Sequence, residues 1–233
     1  MSTTTTVLDE NYWCGNNKIN GNFGTNTVSS EDSIVGDFDT IPLIDVAGIF
    51  NPDISERKKV AAQLYDACTR VGFFYIENHG ISQDLVNAVF DCGKEFFALS
   101  FDEKMEIYIN NMPNYRGYTP LGGSGSSGPD GQGNANEAFD WGHDAKLNDD
   151  PNDEFIDTHM RGDNPWPRQL PHFEAVLSGY YRTLRAFARI LARNVALSLD
   201  LDESYFEPVL THPGCSALVA HYPPQKSGSR IFG

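Results

Sequence analysis

The sequence lacks long hydrophobic runs and has few cysteines. No stretch of its 233 residues approaches the roughly 18 consecutive apolar residues of a membrane-spanning helix. Its N-terminal residues contain no apolar segment of the kind that marks a secretory signal. The 4 cysteines lie far apart and show none of the C-x-x-C spacings of zinc or redox sites. These absences predict a soluble, cytoplasmic protein whose cysteines are free thiols.

Basic residues are also scarce. The chain has 17 Lys plus Arg against 32 Asp plus Glu, which gives a formal net charge of -15. Because this charge repels phosphate backbones and anionic lipids, we expect neither nucleic acid nor a membrane as a partner. Many acidic residues lie between Asp130 and Asp163. We interpret this run as a solvated loop, since it lacks the alternating ligand pattern of a calcium site.

The beginning of the chain changes from polar to patterned sequence. Residues 1–39 are rich in Thr, Asn, Ser and Gly and predict a disordered polar tail, because they cannot bury enough apolar surface. The hydrophobic pattern then predicts a strand at Ile41–Val46 and a helix that Ser55 caps and Gly72 ends. Phe73–Ile76 is an apolar, aromatic run typical of a buried strand.

Helix signals continue through the rest of the sequence. Ser82 is the expected N-cap of a second helix, and Ser100–Glu103 has the pattern of a capping box that opens a third. The longest helix is predicted from Pro171 to about Ser198 by its apolar periodicity. Cys215–Tyr222 then has the character of a strand.

One internal segment offers almost nothing to pack. Gly122–Gly133 contains six glycines and three serines, so we predict a mobile loop there. Loops of this length within a domain are often lids or binding loops. We also expect the first proteolytic cuts of the folded region to fall in this loop.

Several motifs carry more information together than any one of them alone. They occur in chain order at Ile41–Asp45, Gly72–Ile81, Lys94–Leu99, Arg116–Tyr118, Glu137–Gly142, Asn164–Pro167 and His221–Gln225. This series resembles the isopenicillin N synthase-like branch of the Fe(II)/2-oxoglutarate-dependent oxygenases. The resemblance covers nearly everything outside the polar tail.

The resemblance implies an α+β fold. An N-terminal α/β region and a long scaffold helix would lead into an incomplete double-stranded β-helix, or jelly roll. On this basis the chain divides into a disordered polar tail, an N-terminal dioxygenase region, a Gly-rich and acidic loop region, and a scaffold helix with the first strand or strands of a truncated jelly roll. The corresponding ranges are 1–39, 40–120, 121–165 and 166–233.

The resemblance also implies Fe(II), 2-oxoglutarate and O2 as cofactors. Family members hold iron with a His-x-Asp motif and a later His, and a late Arg binds the oxoacid. Imidazole and carboxylate ligands suit Fe(II), and three of them leave coordination positions open. None of the 6 histidines here is followed two residues later by Asp, and the sequence ends at Gly233. We therefore expect no catalytic residue and no metal ligand in this chain.

His172-Phe173-Glu174 is the nearest match to the iron motif. It falls in the first turn of the long helix, where residues i and i+2 point about 200° apart and cannot bind one metal ion. In a strand the same spacing would place both side chains on one face. We interpret His172 as a helix-start residue.

Tyr222 is the candidate cofactor-binding residue, by resemblance. Its phenol can donate a hydrogen bond to a carboxylate of 2-oxoglutarate or of the substrate. Since side chains alternate along a strand, His221 and Tyr222 point to opposite faces. Ordinary aromatic packing is the alternative for Tyr222, and Ala220 stands where plant-type members often have Asn.

Arg116 and Tyr118 are the candidate substrate-binding residues, by resemblance. An Arg could pair with a substrate carboxylate in bidentate fashion. The alternative for Arg116 is a surface residue that pairs with the acidic run. Phe139 and Trp141 are interpreted as core residues.

Two functions of different class follow. The first is an oxygenase that hydroxylates, desaturates or cyclises a small organic substrate, represented here by its N-terminal part. The second is a truncated, non-catalytic relative that acts as a binding or interaction protein or has no activity. In either case we expect the chain alone to be inactive and to self-associate through the unpaired edge of its last strand.

Overall fold

The computed structural model describes four stretches of the chain. They comprise residues 40–123, 135–143, 162–210 and 215–224. The predicted polar tail, most of the Gly-rich loop and most of the acidic run lie outside these described residues. The chain divides into two compact units, residues 1–79 with 190–211 and residues 80–189 with 212–233. Helices and sheets occur together, so the α+β class is confirmed.

The first unit begins with a strand, helix and strand, as predicted. Strand β1 (Leu43–Asp45) pairs in parallel with β2 (Tyr75–Glu77), and helix α1 (Ile54–Arg70) connects them after a 3-10 turn at Ala47–Phe50. Parallel strands need such a crossover connection. Helix α1 packs against β1 and the 3-10 turn. Its buried side chains are Val60, Ala61, Leu64 and Ala67.

The ends of α1 correct one prediction and confirm another. Asp53 is the N-cap instead of Ser55, because its backbone is still extended and its carboxylate accepts a hydrogen bond from the Ser55 N–H at 2.9 Å. Ser55 already belongs to the helix. At the other end, Gly72 has a φ of 91° and donates its N–H to the carbonyl of Ala67 at 3.0 Å. This left-handed residue ends the helix as predicted.

The prediction of a buried strand at Phe73–Ile76 is wrong. Strand β2 begins at Tyr75, and the side chains of Phe73 and Tyr75 are 51% and 62% exposed. Ile76 is half-buried. Alternate residues of a strand point to opposite faces, and α1 covers one face of this two-stranded sheet. Phe73 and Tyr75 lie on the face that this unit leaves exposed, whereas Phe74 is half-buried like Ile76.

The second unit opens with two capped helices. Helix α2 (Gln83–Phe97) has Ser82 as its N-cap, with the Ser82 hydroxyl accepting from the Asp84 N–H. Helix α3 (Phe101–Met105) begins with a complete capping box between Ser100 and Glu103. Both predictions are confirmed.

A membrane-spanning helix is not found in the part of the chain that the structure describes.

A three-stranded antiparallel sheet forms the centre of the second unit. Strand β4 (Glu137–Gly142) lies between β3 (Gly117–Thr119) and β5 (Ser216–His221). The predicted strand at Cys215–Tyr222 is therefore confirmed. Helix α4 (Phe173–Ser198) confirms the predicted long helix; its first part belongs to this unit and its last part to the first unit.

Aromatic side chains fill the core between this sheet and the helices. Phe96 of α2 lies 5.2 Å from Phe139 of β4, and Phe139 lies 5.1 Å from Phe173 of α4, measured between ring centroids. Tyr118 and Trp141 belong to the same buried cluster. Phe139 and Trp141 are thus core residues, as predicted. The sheet is backed by helices on one face.

Candidate functional site

The register of the sheet assigns its side chains to two faces. Directly paired residues of antiparallel strands lie on the same face, and neighbours along a strand alternate. Glu137, Phe139 and Trp141 therefore lie on the face that packs on the helices, the helix face. Ala138, Asp140 and Gly142 of β4 lie on the other face, together with Leu218 and Ala220 of β5. We call this second surface the open face, since Leu218 of β5 is exposed on it; Ala138 and Gly142 of β4 are buried there.

A buried carboxylate, Glu137, organises one end of the helix face. Its Oε2 accepts hydrogen bonds from Lys104 Nζ at 2.7 Å and from the Tyr118 hydroxyl at 2.6 Å. His221 Nδ1 donates to Oε1 at 2.9 Å. Lys104 also donates to the carbonyl of Phe97 at 3.2 Å, and its Nζ lies 5.2 Å from the Tyr118 ring centroid. These contacts join α2, α3 and all three strands.

The electrostatics of this network keep Glu137 ionised. Burial raises the pKa of the Glu137 carboxyl, but hydrogen bonds from Lys104, Tyr118 and His221 outweigh it and hold that pKa below its usual value. Burial, followed by the hydrogen bond to Glu137, raises the pKa of Tyr118 well above that of a free phenol. The phenol therefore stays protonated near neutral pH. This arrangement is a structural brace and not an acid–base pair.

Arg116 has a second, separate set of contacts. Its side chain is buried, at 4% exposure, and Nη1 donates to the carbonyls of His143 at 2.9 Å and Gly162 at 2.8 Å, and to Asn164 Oδ1 at 3.1 Å. The Asn164 side chain also bonds both backbone groups of Gly142. A Cβ on Gly142 would lie 2.6 Å from the Arg116 guanidinium. Arg116 thus joins the end of β4 to the segment before α4.

These contacts bear on the predicted substrate residues. The surface placement of Arg116 is wrong, because the side chain is buried among backbone carbonyls, whereas its pairing with the acidic run stays a prediction. Tyr118 is 1% exposed and donates its hydroxyl to Glu137. A substrate role for either residue stays a prediction. The contacts found in the structure stabilise the second unit.

Tyr222 follows β5 and is 58% exposed. Because His221 turns to the helix face and binds Glu137, alternation directs Tyr222 toward the open face. This placement agrees with the sequence argument that the two residues face opposite ways. Cofactor binding by Tyr222 itself stays a prediction.

A three-ligand metal site is not found within the described ranges, where no group of three or more His, Cys, Asp and Glu side chains converges. His172 precedes α4, as interpreted from the sequence, and its Nε2 lies 2.8 Å from Glu95 Oε2. The described residues therefore do not fit an Fe(II) site. Cys68, Cys92 and Cys215 are free thiols, as predicted.

Asp140 is the residue that the sequence argument missed. It lies on the open face between two core aromatics, and burial raises the pKa of its carboxyl to about 6. Its carboxylate makes no hydrogen bond or ion pair with any described residue. The sequence contained a signal for this position. Asp140 lies between Phe139 and Trp141 in one strand, and side chains alternate along a strand, so Asp140 faces away from both aromatic residues.

The fold is similar to part of two solved structures. The first is a 2OG-Fe(II) oxygenase family protein from Caulobacter crescentus. It superimposes with a TM-score of 0.66 at 24% identity, and the match covers 83% of this chain and 60% of that chain. A full-length Neurospora crassa protein solved in complex with alpha-KG gives a TM-score of 0.64 at 23% identity, covering 83% of this chain and 58% of that chain.

Sequence comparison defines the family. Residues 41–169 match the family model described as non-haem dioxygenase in morphine synthesis N-terminal. The chain belongs to the Fe(II)/2-oxoglutarate-dependent oxygenase family, as its motifs predicted. The narrower assignment to the isopenicillin N synthase-like branch stays a prediction.

Two curated relatives illustrate the match. The 2-oxoglutarate-Fe(II) type oxidoreductase ppzC of Metarhizium majus is 31% identical over 202 residues, which are 82% of this chain and 53% of the relative. A homoarginine-6-hydroxylase of Glycine max is 34% identical over 181 residues, which are 73% of this chain and 52% of the relative. The chain thus spans about half the length of the curated relatives it matches. Family members use Fe(II) and 2-oxoglutarate.

Proposed function

We propose that this chain forms the N-terminal region, the scaffold helix and the first jelly-roll strands of an oxygenase that oxidises a small organic substrate. The observation that carries the proposal is the antiparallel β3–β4–β5 sheet, which packs on helices α2 and α4 with one face and has a second face on which Leu218 of β5 is exposed. In a jelly roll, a second sheet packs on such a face. The proposed oxidation is a hydroxylation, a desaturation or a ring closure.

The contribution of this chain is the β3–β4–β5 sheet, whose strands are held in register by side-chain contacts. Fe(II) and 2-oxoglutarate supply the oxidising chemistry in this family, and the described residues do not hold the metal. Glu137, with Lys104, Tyr118 and His221, fixes the end of β5 against β4. This bracing sets where Tyr222 leaves the sheet. The phenol of Tyr222 is proposed to donate to a carboxylate of 2-oxoglutarate or substrate.

A chimera tests the oxygenase proposal. Residues 1–233 would be joined to the remaining C-terminal part of ppzC of Metarhizium majus and titrated anaerobically with Fe(II) and 2-oxoglutarate. We expect a stoichiometric complex with charge-transfer absorbance in the chimera and weak binding at best in the chain alone. A folded chimera that binds neither would overturn the proposal and favour the non-catalytic alternative.

Tyr222→Phe in that chimera tests the cofactor role. Removing one neutral hydrogen bond should weaken 2-oxoglutarate or substrate binding by about 0.5–1.5 kcal/mol, or up to about 3 kcal/mol with a charged acceptor. Tyr65→Phe on α1 is the matched control, since Tyr65 is also an exposed tyrosine at 51%. Equal affinities for both ligands in all three proteins would leave Tyr222 with a packing role only.

The relatives do not determine the charge of the substrate. The Neurospora crassa protein has also been solved in complex with thymine, which is neutral, and the homoarginine-6-hydroxylases act on a compound that carries a guanidinium group. Both are small organic molecules, as expected for this chain.

A further inference from the structure

The parallel sheet of the first unit has one face that α1 does not cover. Ile44 and Val46 lie on the covered face and are 2% and 0% exposed. Side chains alternate along a strand, so their neighbours point the other way. We call this second surface the outer face. It comprises Leu43, Asp45, Phe73, Tyr75 and Glu77.

Apolar side chains occupy one end of the outer face. Leu43 and Tyr75 are directly paired in the register of the sheet and are 59% and 62% exposed. Phe73 lies two residues before Tyr75 and is 51% exposed. Contiguous apolar side chains on a surface mark an interaction site, whereas scattered ones do not. Parallel strands in particular are normally covered on both faces.

Two carboxylates occupy the other end of the outer face. Asp45 and Glu77 are directly paired, and neighbouring strands lie about 4.8 Å apart, so the two like charges repel each other. The Asp45 carboxylate accepts the Ala47 N–H at 2.9 Å, which helps to keep it ionised. Neither carboxylate makes an ion pair with the residues that the structure describes. A cation placed over this pair is therefore attracted by both.

The length of the relatives indicates what covers this surface. The match spans 53% of ppzC of Metarhizium majus and 52% of the homoarginine-6-hydroxylase of Glycine max, so about half of each relative lies outside the match. A covalently linked segment has a high effective concentration at the surface it docks on. A second copy of this chain fits less well, because it carries the same two carboxylates and a net charge of -15.

We propose that the outer face is the docking surface for the remaining C-terminal part of the oxygenase chain. This inference rests on the proposed function and names a contact surface separate from the β3–β4–β5 sheet. The docked segment covers Leu43 and Tyr75 with apolar side chains and presents a Lys or Arg to Asp45 and Glu77. The apolar contacts remove exposed hydrophobic surface from water, and the cation relieves the repulsion between the carboxylates.

Hydroxyl-radical footprinting of the full chain and of two chimeras tests the covering. Residues 1–233 are joined to the remaining C-terminal part of ppzC in one chimera and of the Glycine max hydroxylase in the other. In the chain alone, Tyr75 should be oxidised about as fast as Tyr65 of α1, which is 51% exposed. In the chimeras, oxidation of Tyr75 relative to Tyr65 should fall roughly fivefold or more, as for a residue that enters the core of an interface.

Glu77→Lys tests the charge of the docked segment. In the chain alone this substitution removes the repulsion with Asp45, so the melting temperature should stay the same or rise. In the chimeras the new cation meets the proposed Lys or Arg, so the melting temperature should fall and Tyr75 should be oxidised faster. Glu77→Gln is the matched control for charge reversal and should have a smaller effect in the chimeras. A melting temperature that rises in the chain and chimeras alike would overturn the proposed cation.

Three footprinting results would overturn the docking surface. Tyr75 could stay as reactive in both folded chimeras as in the chain. It could be protected in the chain alone in a way that increases with concentration, which would assign the surface to a second copy. Protection in the chain alone at every concentration would assign it to residues of the chain itself.

The anaerobic titration with Fe(II) and 2-oxoglutarate reports separately on the oxygenase proposal. A chimera that forms the charge-transfer complex while Tyr75 stays reactive overturns the docking surface alone. Protection of Tyr75 in folded chimeras that form no such complex supports the docking surface and overturns the oxygenase proposal.

Discussion

Glu137 and Asp140 show how strongly the surroundings of a residue determine its state. Both are acidic residues of β4, and burial raises the pKa of each carboxyl. Three donors reverse that effect at Glu137, whereas Asp140 has none within the described ranges. One carboxylate therefore braces the sheet, and the other is desolvated without a compensating donor among the described residues.

Removal of Glu137 should be severely destabilising. Glu137→Ala leaves Lys104, which is 7% exposed, as an uncompensated buried charge, and we expect a loss of about 3–5 kcal/mol in the free energy of unfolding. Chemical denaturation followed by circular dichroism measures it. The double variant Lys104→Met with Glu137→Leu removes both charges and should recover most of the loss. A single variant as stable as the parent would show that the brace contributes little.

The raised pKa of Asp140 predicts a pH-dependent stability. Its folded value of about 6 lies above the unfolded value of about 3.9, so between these pH values the folded chain binds more protons. The free energy of unfolding therefore falls as pH rises from about 4 to 6. Asp140→Asn should remove this dependence and stabilise the chain at pH 7 by at most about 3 kcal/mol, at about 1.4 kcal/mol per pKa unit.

Urea denaturation at pH 4 and pH 7 measures this difference. The stability gained by Asp140→Asn should be present at pH 7 and nearly absent at pH 4. Asp91→Asn, at an exposed position of α2, should follow the parent at both values. Parallel profiles of the parent and Asp140→Asn would mean that the carboxylate is solvated.

At the scale of elements, the helices of this chain begin at local capping contacts. Ser82 and Ser100 cap α2 and α3 through their own hydroxyls, and Glu103 completes the box of α3. Asp53 caps α1 through a carboxylate that accepts from the Ser55 N–H. Each cap satisfies an N–H group that would otherwise have no partner in the first turn.

The cap of α1 can be tested by a pair of variants. Asp53→Ala should reduce the free energy of unfolding by about 1 kcal/mol, within the usual 0.5–2 kcal/mol for loss of an N-cap. Ser55→Ala should cost less, because the Ser55 backbone N–H remains to donate to Asp53. Thermal and urea denaturation of both variants provide the comparison. A larger loss of unfolding free energy for Ser55→Ala than for Asp53→Ala would show that Ser55 is the N-cap.

At the scale of the whole molecule, β5 forms one edge of the β3–β4–β5 sheet. In the described part of the chain its pairing partner is β4, and Leu218 and Tyr222 are 56% and 58% exposed. A strand with free backbone groups and exposed apolar side chains is a template for pairing with another chain. The large negative charge opposes association in general, but it does not specifically protect the edge of β5.

We therefore predict that the 233-residue chain self-associates. Sedimentation velocity should show oligomers that increase with concentration, and a hydrophobic dye should bind. Leu218→Lys should shift the chain toward monomer, because a charge on an edge strand opposes pairing. Val209→Lys, at a 47% exposed apolar position in the first unit, is the control and should not. A compact monomer with a sharp melt and no dye binding would contradict the prediction.

Much of the local structure could be predicted from the sequence. Periodic apolar residues and capping patterns indicated α1 to α4, and the motif series indicated the family. These signals depend on residues within a turn or two of each other, so they require no knowledge of the fold. The same local reasoning failed at Phe73–Ile76, because the burial of a strand depends on what covers it.

The tertiary structure alone decided the roles of individual side chains. Lys104 meets Glu137 from 33 residues away, and Arg116 meets Asn164 from 48 residues away. No local pattern encodes such contacts, so the sequence suggested an accessible Arg116 and Tyr118 and overlooked Asp140. The sequence by itself determined the four helices, the strands β1 and β5, and the family. Only the pairing of β3, β4 and β5 decided which polar groups are desolvated with partners and which without, because the desolvation of a charge depends on its three-dimensional neighbours.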